Sequence, residues 1–322
     1  MKKILMSRGA KKVVDVCVGV KPCETVSIIT EPLKLTIAET IASAVYEAGA
    51  EPVITVMMPR EIDSTEPPKC IAEMMKASDA FISVVGKSIT HTNAVKDAIK
   101  NGSRGVVLTQ FSEEMLIHGG LEADFKSIAP VCKTMADKLA NSNEVVLTTA
   151  NGTNLRYSAL GRRGNALYCM VEKGQFSTVP TVEANVSPLE GTANGIVIAD
   201  GSIPYLGIGV LDEPVKLTIE NGFITSILGG KQAKILEEDL KSKNDPNVYN
   251  IAEMGVGLNP CCKFVGFMLE DEGVYGSVHI GIGTSITLGG TVKASCHYDL
   301  IMRDATIVAD GELLMESGKV KF

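Results

Sequence analysis

Tryptophan is absent from this chain of 322 residues, and aromatic residues of all kinds make up only 5% of it. Positive charge is also scarce, because 31 lysines and arginines stand against 38 aspartates and glutamates, for a formal net charge of -7. A surface that binds nucleic acid needs clustered positive charge, commonly interleaved with aromatic side chains. The composition therefore argues against nucleic acid as a partner.

Long apolar runs are missing as well. No uninterrupted stretch approaches the ~20 apolar residues that a helix needs to cross a bilayer, so we expect no membrane partner. The basic and apolar start of the chain is interrupted by further charges, which favours a helix over a signal peptide. The eight cysteines have no paired CxxC spacing, and we expect them to be reduced thiols of a cytoplasmic protein.

The first part of the chain, residues 1–142, alternates between strand-like and helix-like segments. Compact apolar runs at 25–30 and 51–58, both expected to be buried strands, flank a segment with helical apolar spacing at 35–50. Such alternation is typical of βαβ units and predicts a doubly wound parallel sheet. The sequence after the first strand reads EPLK and not a glycine-rich phosphate-binding motif, so this part predicts no nucleotide cofactor.

The second part, residues 143–322, consists of short β-rich runs punctuated by glycine, which predicts a mainly antiparallel domain. Asn221-Gly222 and Asp310-Gly311 each stand between two strand-like runs, where a tight hairpin favours both residue types. One helix is predicted, over 231–242. The fold class is therefore α/β, with a Rossmann-like α/β domain over residues 1–142 and a β-rich (α+β) metal-binding domain over residues 143–322.

Five ligand-type side chains of the second part are flanked by small or apolar residues, which is unusual for groups that only solvate a surface. Two of them stand in the segment CHYDLIM, and in a strand they would share one face. A buried charge without a partner is costly, so these segments suggest that the charges meet a cation. The five residues are Glu183, Glu253, His279, His297 and Asp299.

Three carboxylates and two imidazoles are enough for one or two ions of Zn²⁺, Mn²⁺, Co²⁺ or Fe²⁺. Each residue taken alone also has a structural explanation. His297 and Asp299 could form a hydrogen-bonded pair, Glu253 could lie at a helix end, and His279 could be a satisfied core histidine. The residue types alone leave these alternatives open.

In their order along the chain, the five positions resemble the aminopeptidase T/aminopeptidase S family of metallopeptidases and its shorter relatives, which include 2,5-dihydroxypyridine 5,6-dioxygenase. The resemblance covers roughly residues 145–322 and is weaker before them. The matching segments are Glu183 with Pro188 and GTANG, Glu253 in AEMGVGLNP, His279 in HIGIG, and His297 with Asp299 in a closing HxDFM-type motif.

The peptidase resemblance implies a dinuclear metal centre held by these five residues and cleavage of a C–N amide bond by metal-activated water. The main expectation is therefore a metal-dependent hydrolase of a peptide-like or cyclic amide substrate, with Zn²⁺, Mn²⁺ or Co²⁺. Glu183 or Glu253 would double as the general base. The resemblance also implies a homo-oligomer, with a dimer as the smallest form.

One position departs from the peptidase pattern. The catalytic tyrosine of the peptidases falls on Ile286 in this chain. Its role is therefore vacant unless Tyr205, Tyr275 or Tyr298 reaches the site.

The dioxygenase branch is the alternative, and the length of the chain matches it. The resemblance to this branch implies opening of a hydroxylated pyridine ring with one Fe²⁺. His279, His297 and Asp299 would supply a two-His-one-carboxylate face, with Glu183 and Glu253 beside it. A histidine tends to occupy the Glu253 position in that branch, which favours hydrolysis for this chain. A third possibility is a non-catalytic binding protein that keeps the scaffold.

Overall fold

The computed structural model describes residues 2–322. They form two compact units, each made of two stretches of the chain. Unit 1 comprises the chain up to Phe125 together with Leu167–Pro180, and unit 2 comprises Lys126–Ala166 together with Thr181–Phe322.

The helices and strands follow in chain order. The helices are α1 Lys2–Lys12, α2 Leu35–Glu47, α3 Lys69–Ala77, α4 Asn93–Lys100, α5 Glu113–Ile117, α6 Phe125–Leu139, α7 Lys231–Ser242 and α8 Met268–Asp271, and a π-helical segment, Val13–Val18, continues α1. The strands are β1 Thr25–Thr30, β2 Glu51–Val56, β3 Ala80–Val85, β4 Arg104–Thr109, β5 Val145–Thr148, β6 Asn154–Tyr157, β7 Gly164–Tyr168, β8 Phe176–Thr178, β9 Val182–Val186, β10 Asn194–Ala199, β11 Ser202–Ile203, β12 Gly209–Val210, β13 Val215–Glu220, β14 Phe223–Leu228, β15 Ile251–Gly257, β16 Val278–Gly283, β17 His297–Met302, β18 Thr306–Ala309, β19 Glu312–Glu316 and β20 Lys319–Val320.

Unit 1 is built on a parallel sheet in the order β2-β1-β3-β4-β8. The central strands β3 and β4 are buried over their whole length. Side chains such as Phe81, Met75 and Val107 belong to its apolar core. The predicted parallel sheet with helices in the first part of the chain is confirmed.

Local signals in the sequence set where two of the helices of unit 1 begin or end. The side-chain oxygen of Thr92 accepts a hydrogen bond from the Val95 amide and caps the start of α4. Gly49 follows the end of α2 with a φ of 80°, a left-handed conformation that glycine adopts without strain. These two helix boundaries therefore follow ordinary capping chemistry.

Strand β2 differs from the expectation of a buried strand. The side chains of Val53, Ile54 and Val56 are exposed by 37%, 37% and 47%. The reason is that β2 lies at the end of the strand order and pairs with β1 alone. An apolar β-branched run has the same appearance in an edge strand and in a central strand, so the sequence did not distinguish them.

The two units are not consecutive segments of the chain, as domains over 1–142 and 143–322 would be. Strand β8 is the cause, because it pairs in parallel with β4 and places Leu167–Pro180 in unit 1. Lys126–Ala166 belongs to unit 2. Pairing between strands so distant in the sequence leaves no local signal of a domain boundary. The change of composition near residue 142 is a local signal, and the predicted boundary was placed there.

Unit 2 contains antiparallel sheets. One has the order β14-β13-β10-β6-β5-β18-β19-β20, and another contains the consecutive strands β17-β16-β15-β9. Both predicted hairpins are present, with positive φ at Asn221-Gly222 between β13 and β14 and at Asp310-Gly311 between β18 and β19. Helix α7 has the predicted bounds. The prediction of a mainly antiparallel second part is confirmed.

No helix within residues 2–322 combines the length and the apolar character needed to cross a membrane.

A nearly buried ion pair fixes the start of β4 in unit 1. The Arg104 side chain is 9% exposed and binds both carboxylate oxygens of Glu24. It also donates to the carbonyl oxygens of Val18 at 2.7 Å and Gly19 at 3.0 Å. Burial by itself raises the pKa of Glu24, but hydrogen bonds from Arg104 and from the Lys21 amide outweigh it and hold this pKa below its ordinary value.

We expect Arg104→Ala to lower the free energy of unfolding by about 2–4 kcal/mol, because it leaves the Glu24 charge and two carbonyl groups without their partner. Urea denaturation followed by circular dichroism measures this loss. Because the pKa of Glu24 is lowered by folding, the part of the loss that comes from the ion pair is present at neutral pH and disappears as the pH falls through the acidic range. The difference between the two proteins should therefore narrow there.

The matched control is Arg156→Ala, which removes an exposed pair with Glu144 whose side chains are 60% and 57% exposed. Its expected cost is below about 1 kcal/mol. Equal losses for the two variants at neutral pH would contradict the stabilising role of Arg104.

Candidate metal centre

Strands β9, β15, β16 and β17 bring the five predicted ligand-type side chains together. The strands contribute Glu183, Glu253, His279, and the pair His297 and Asp299, respectively. Residues two apart on a strand share a face, and the Nε2 atom of His297 does lie 3.4 Å from Oδ1 of Asp299. The expected placement of this pair on one strand face is confirmed.

A glycine stands opposite each of these side chains on a neighbouring strand. A Cβ atom at Gly255 would lie 2.1 Å from Nε2 of His279, and one at Gly281 would lie 2.9 Å from Nε2 of His297. Real Cβ atoms do not approach so closely, so only glycine leaves room for the imidazoles. The pairs are Glu183 with Gly257, His279 with Gly255, Glu253 and Asp299 with Gly281, and His297 with Gly283.

The side chains form two groups that share Glu253. One group is Glu183, Glu253 and His279, the other is Glu253, His297 and Asp299, and within each the candidate ligand atoms lie within 4.8 Å of one another. Oε1 of Glu253 is 3.8 Å from Nε2 of His279, and Oε2 is 3.0 Å from Nε2 of His297. The two histidines therefore belong to different groups, and the expected face of His279, His297 and Asp299 is not a single group.

Two of the carboxylates are held through one oxygen only. Asn185 donates its side-chain amide to Oε1 of Glu183 at 2.9 Å, and Tyr205 donates its hydroxyl to Oδ2 of Asp299 at 2.6 Å. The remaining oxygens, Oε2 of Glu183 and Oδ1 of Asp299, are buried without a hydrogen-bond partner among residues 2–322. Buried carboxylate oxygens need a partner, so the residues present fit a bound cation.

His297 is oriented to bind through Nε2. Its Nδ1 atom lies 2.8 Å from the carbonyl oxygen of Thr284, which places the proton of the neutral ring on Nδ1. The Nε2 lone pair then points toward Glu253 and Asp299. A second hydrogen bond of this kind is the usual support of a metal-binding histidine.

The electrostatics of the cluster require positive charge at its centre. Burial lowers the pKa of His279, but the nearby carboxylates of Glu253 and Glu183 outweigh it and raise this pKa to about 9. Burial opposes ionisation of Glu253 and Asp299 too, yet the imidazoles hold both carboxyl pKa values below the ordinary range. A divalent ion supplies the same positive charge when the imidazoles bind as neutral ligands.

Glu183 behaves differently from the other two carboxylates. Burial, opposed by His279 and reinforced by the charge of Glu253, raises the pKa of Glu183 to about 7. Of the two residues expected to act as general base, Glu183 therefore has the higher pKa, because the imidazoles hold the pKa of Glu253 low.

Of the three tyrosines considered for the vacant catalytic position, Tyr205 reaches the cluster. Tyr275 is 44% exposed, and Tyr298 donates its hydroxyl to Asp239 at 3.0 Å. Ile286, which occupies the position of the peptidase tyrosine, is 47% exposed. From the sequence, Tyr205 was only one of three candidates, because this residue lies far along the chain from most of the other site residues.

Glu272 is a further acidic group at this centre, and the sequence analysis missed it. It lies just after α8, is 8% exposed, and its Oε1 atom is 3.3 Å from the Tyr205 hydroxyl. Burial, reinforced by the charge of Asp299, raises its pKa well above the ordinary value. The signal was masked because Glu272 ends the acidic run Glu270–Glu272, a pattern typical of an exposed helix end.

One protein family, NicX, described as 2,5-dihydroxypyridine 5,6-dioxygenase, has a model that matches residues 6–322. The 2,5-dihydroxypyridine 5,6-dioxygenase of Pseudomonas putida KT2440 is 31% identical over 159 residues, which are 46% of this chain and 45% of that protein. The aligned part thus spans about half the length of this relative.

Two solved structures share the fold. The 2,5-dihydroxypyridine dioxygenase from Pseudomonas putida KT2440 superimposes with a TM-score of 0.84 at 18% identity, over 99% of this chain and 97% of that one. Wild-type AmpT from Thermus thermophilus superimposes with a TM-score of 0.73 at 15% identity, over the full length of both chains. At these identities the likeness is one of fold alone, and it confirms the expected architecture.

The expectation of a metal-dependent hydrolase is wrong. The family model and the sequence relative are both described as dioxygenases, and the likeness to AmpT is limited to the fold. The reason for the error is that carboxylates and imidazoles in this order occur in both branches, so the residue types did not separate hydrolysis from oxygenation.

We expect Gly255→Ala to weaken metal binding about 10-fold or more, because the added methyl group overlaps the His279 ring. Elemental analysis of the purified protein, with a titration of added metal, measures this. Met254→Leu, a change of similar volume at the adjacent position on the opposite face of β15, is the control and should keep full metal content. Wild-type metal affinity in Gly255→Ala would contradict the close packing described for His279.

Proposed function

This chain belongs to the 2,5-dihydroxypyridine 5,6-dioxygenase family, and on that premise we propose that it is an Fe²⁺-dependent dioxygenase acting on a hydroxylated pyridine or a closely related nitrogen heteroaromatic ring. The observation that carries the proposal is the buried carboxylate and imidazole cluster on β9, β15, β16 and β17. It lies within the part of the chain that the family model covers.

The donor atoms suit iron. Carboxylate oxygen and imidazole nitrogen are the ligands of many non-haem Fe²⁺ oxygenases, although the two groups in this chain each combine one histidine with two carboxylates. Bound iron would supply the one-electron and oxygen chemistry that amino-acid side chains lack. The choice of iron over other divalent ions rests on the family, because the donor set accepts several of them.

We assign the metal site to Glu183, Glu253, His279, His297 and Asp299, with the group around His297 facing the substrate. The His297 side chain is 18% exposed, whereas the side chains of the other four are exposed by 7% or less. A substrate can approach only from the accessible side. An open coordination position is therefore expected next to His297, while Glu183 and His279 close the buried side.

Within this site Glu183 and Glu253 are buried carboxylate ligands. Asn185 anchors Oε1 of Glu183, which leaves the unpartnered Oε2 to bind the ion. The two imidazoles keep Glu253 ionised, so it too is suited to remain a ligand throughout.

The proposed reaction is tested directly with 2,5-dihydroxypyridine. Protein loaded with Fe²⁺ under anaerobic conditions should consume the substrate only after O₂ is admitted, and mass spectrometry after ¹⁸O₂ labelling should find both oxygen atoms in the product. Substrate loss that continues under strict anoxia would exclude oxygenation. No loss of any hydroxylated pyridine or related nitrogen heteroaromatic compound with O₂ and iron present would reject the proposal as well.

The assignment of His297 is tested by His297→Ala, which should abolish both metal binding and turnover, because it removes the accessible nitrogen ligand. Metal content and oxygen uptake are the measurements. The matched control is His118→Ala, since the His118 side chain is 75% exposed in unit 1, and this variant should keep both properties. Stoichiometric metal in the His297→Ala protein would contradict the assignment.

A further inference from the structure

Tyr205 lies in the loop between β11 and β12 and is 9% exposed. Its hydroxyl donates to Oδ2 of Asp299 at 2.6 Å and lies 3.3 Å from Oε1 of Glu272. Its ring packs on Tyr298 with the ring centroids 4.9 Å apart. Tyr298 is itself held through its hydroxyl by Asp239. The Tyr205 hydroxyl is thus fixed by packing on one side and by carboxyl groups on the other.

The hydrogen bond from Tyr205 gives the two carboxylate oxygens of Asp299 different surroundings. Oδ2 is occupied by the Tyr205 hydroxyl. Oδ1 faces Nε2 of His297 at 3.4 Å and has no hydrogen-bond partner within residues 2–322. A carboxylate held in this way presents a single oxygen to an ion, because rotation to present both would break the 2.6 Å hydrogen bond.

Presenting a single oxygen has a consequence for the site. A carboxylate that binds an ion through both oxygens occupies two coordination positions, and one that binds through one oxygen occupies one. Asp299 belongs to the same group as the accessible His297. The coordination position that Asp299 leaves open therefore lies on the side where a substrate can enter.

We propose that Tyr205 is a positioning residue of the metal centre, whose hydroxyl holds Asp299 so that this carboxylate binds the ion through Oδ1 alone. The inference rests on the proposed role of Asp299 as a ligand and does not depend on which substrate is used. Tyr205 precedes Glu253 in the chain, whereas the peptidase tyrosine would follow His279 at the exposed Ile286. It is therefore a different residue in a different place.

The test is Tyr205→Phe, which removes the hydroxyl and keeps the ring on Tyr298. Affinity for Mn²⁺ and Co²⁺ is measured by competition with a fluorescent chelator, without substrate. We expect both metals to bind about 10–100-fold more weakly, as is usual when a group that orients a ligand is lost. The absorption bands of bound Co²⁺ should also shift, because Asp299 gains the freedom to bind through both oxygens.

The matched control is Tyr157→Phe, which removes a hydroxyl that is likewise buried in unit 2 but has no hydrogen-bond partner within residues 2–322. Its metal affinity and Co²⁺ spectrum should equal those of the wild type. A loss below about threefold in Tyr205→Phe, or an equal loss in both variants, would overturn the proposal.

A second measurement needs no variant and settles the case if Tyr205→Phe fails to fold. In a crystal structure of the wild-type protein with Mn²⁺, Asp299 should bind through Oδ1 with Tyr205 still on Oδ2. Binding through both oxygens, or an ion that leaves Asp299 untouched, would overturn the inference. Because neither measurement uses a substrate, a failure to oxidise hydroxylated pyridines would reject the proposed function and leave the result for Tyr205 standing.

Discussion

The site depends on one shared carboxylate, Glu253, which lies between two imidazoles inside the sheet. One of its oxygens is 3.0 Å from Nε2 of His297, and the other is 3.8 Å from Nε2 of His279. This closeness is possible only because Gly255 and Gly281 leave the space that the rings occupy. Burying several carboxylates together is costly unless positive charge lies among them. The close approach of these side chains inside the sheet therefore requires both the glycines, for space, and a cation, for charge.

Much of the fold could be predicted from the sequence, because the signals for its strands, helices and turns are local. The alternation of strand-like and helix-like segments predicted the parallel sheet, and the Asn221-Gly222 pair predicted a hairpin that the structure contains. The positions of the strands relative to one another could not be predicted from the sequence. Strand β2 is exposed because it ends the sheet, and β8 joins a sheet whose other strands lie far before it in the chain.

The site, too, was predictable where its signals are local and not where it depends on contacts between distant segments. Glu253, His279 and Asp299 were found from their apolar surroundings and their order along the chain, and the structure brings them together with the other two predicted residues. Tyr205 and Glu272 complete the centre from a loop and a helix end, and only the folded chain shows that the Tyr205 hydroxyl meets both Asp299 and Glu272. The reaction type was misjudged because ligand residues define which ions a site accepts, while the chemistry also depends on open positions and on the substrate.

We propose one accessible iron site, which lies where Glu253, His297 and Asp299 converge. The most direct measurement is X-ray diffraction from crystals grown with Fe²⁺ under anoxia, with data collected on both sides of the iron absorption edge. We expect an anomalous peak specific to iron within binding distance of Oδ1 of Asp299 and Nε2 of His297. An iron peak elsewhere in the protein, or none after full loading, would contradict this placement of the metal.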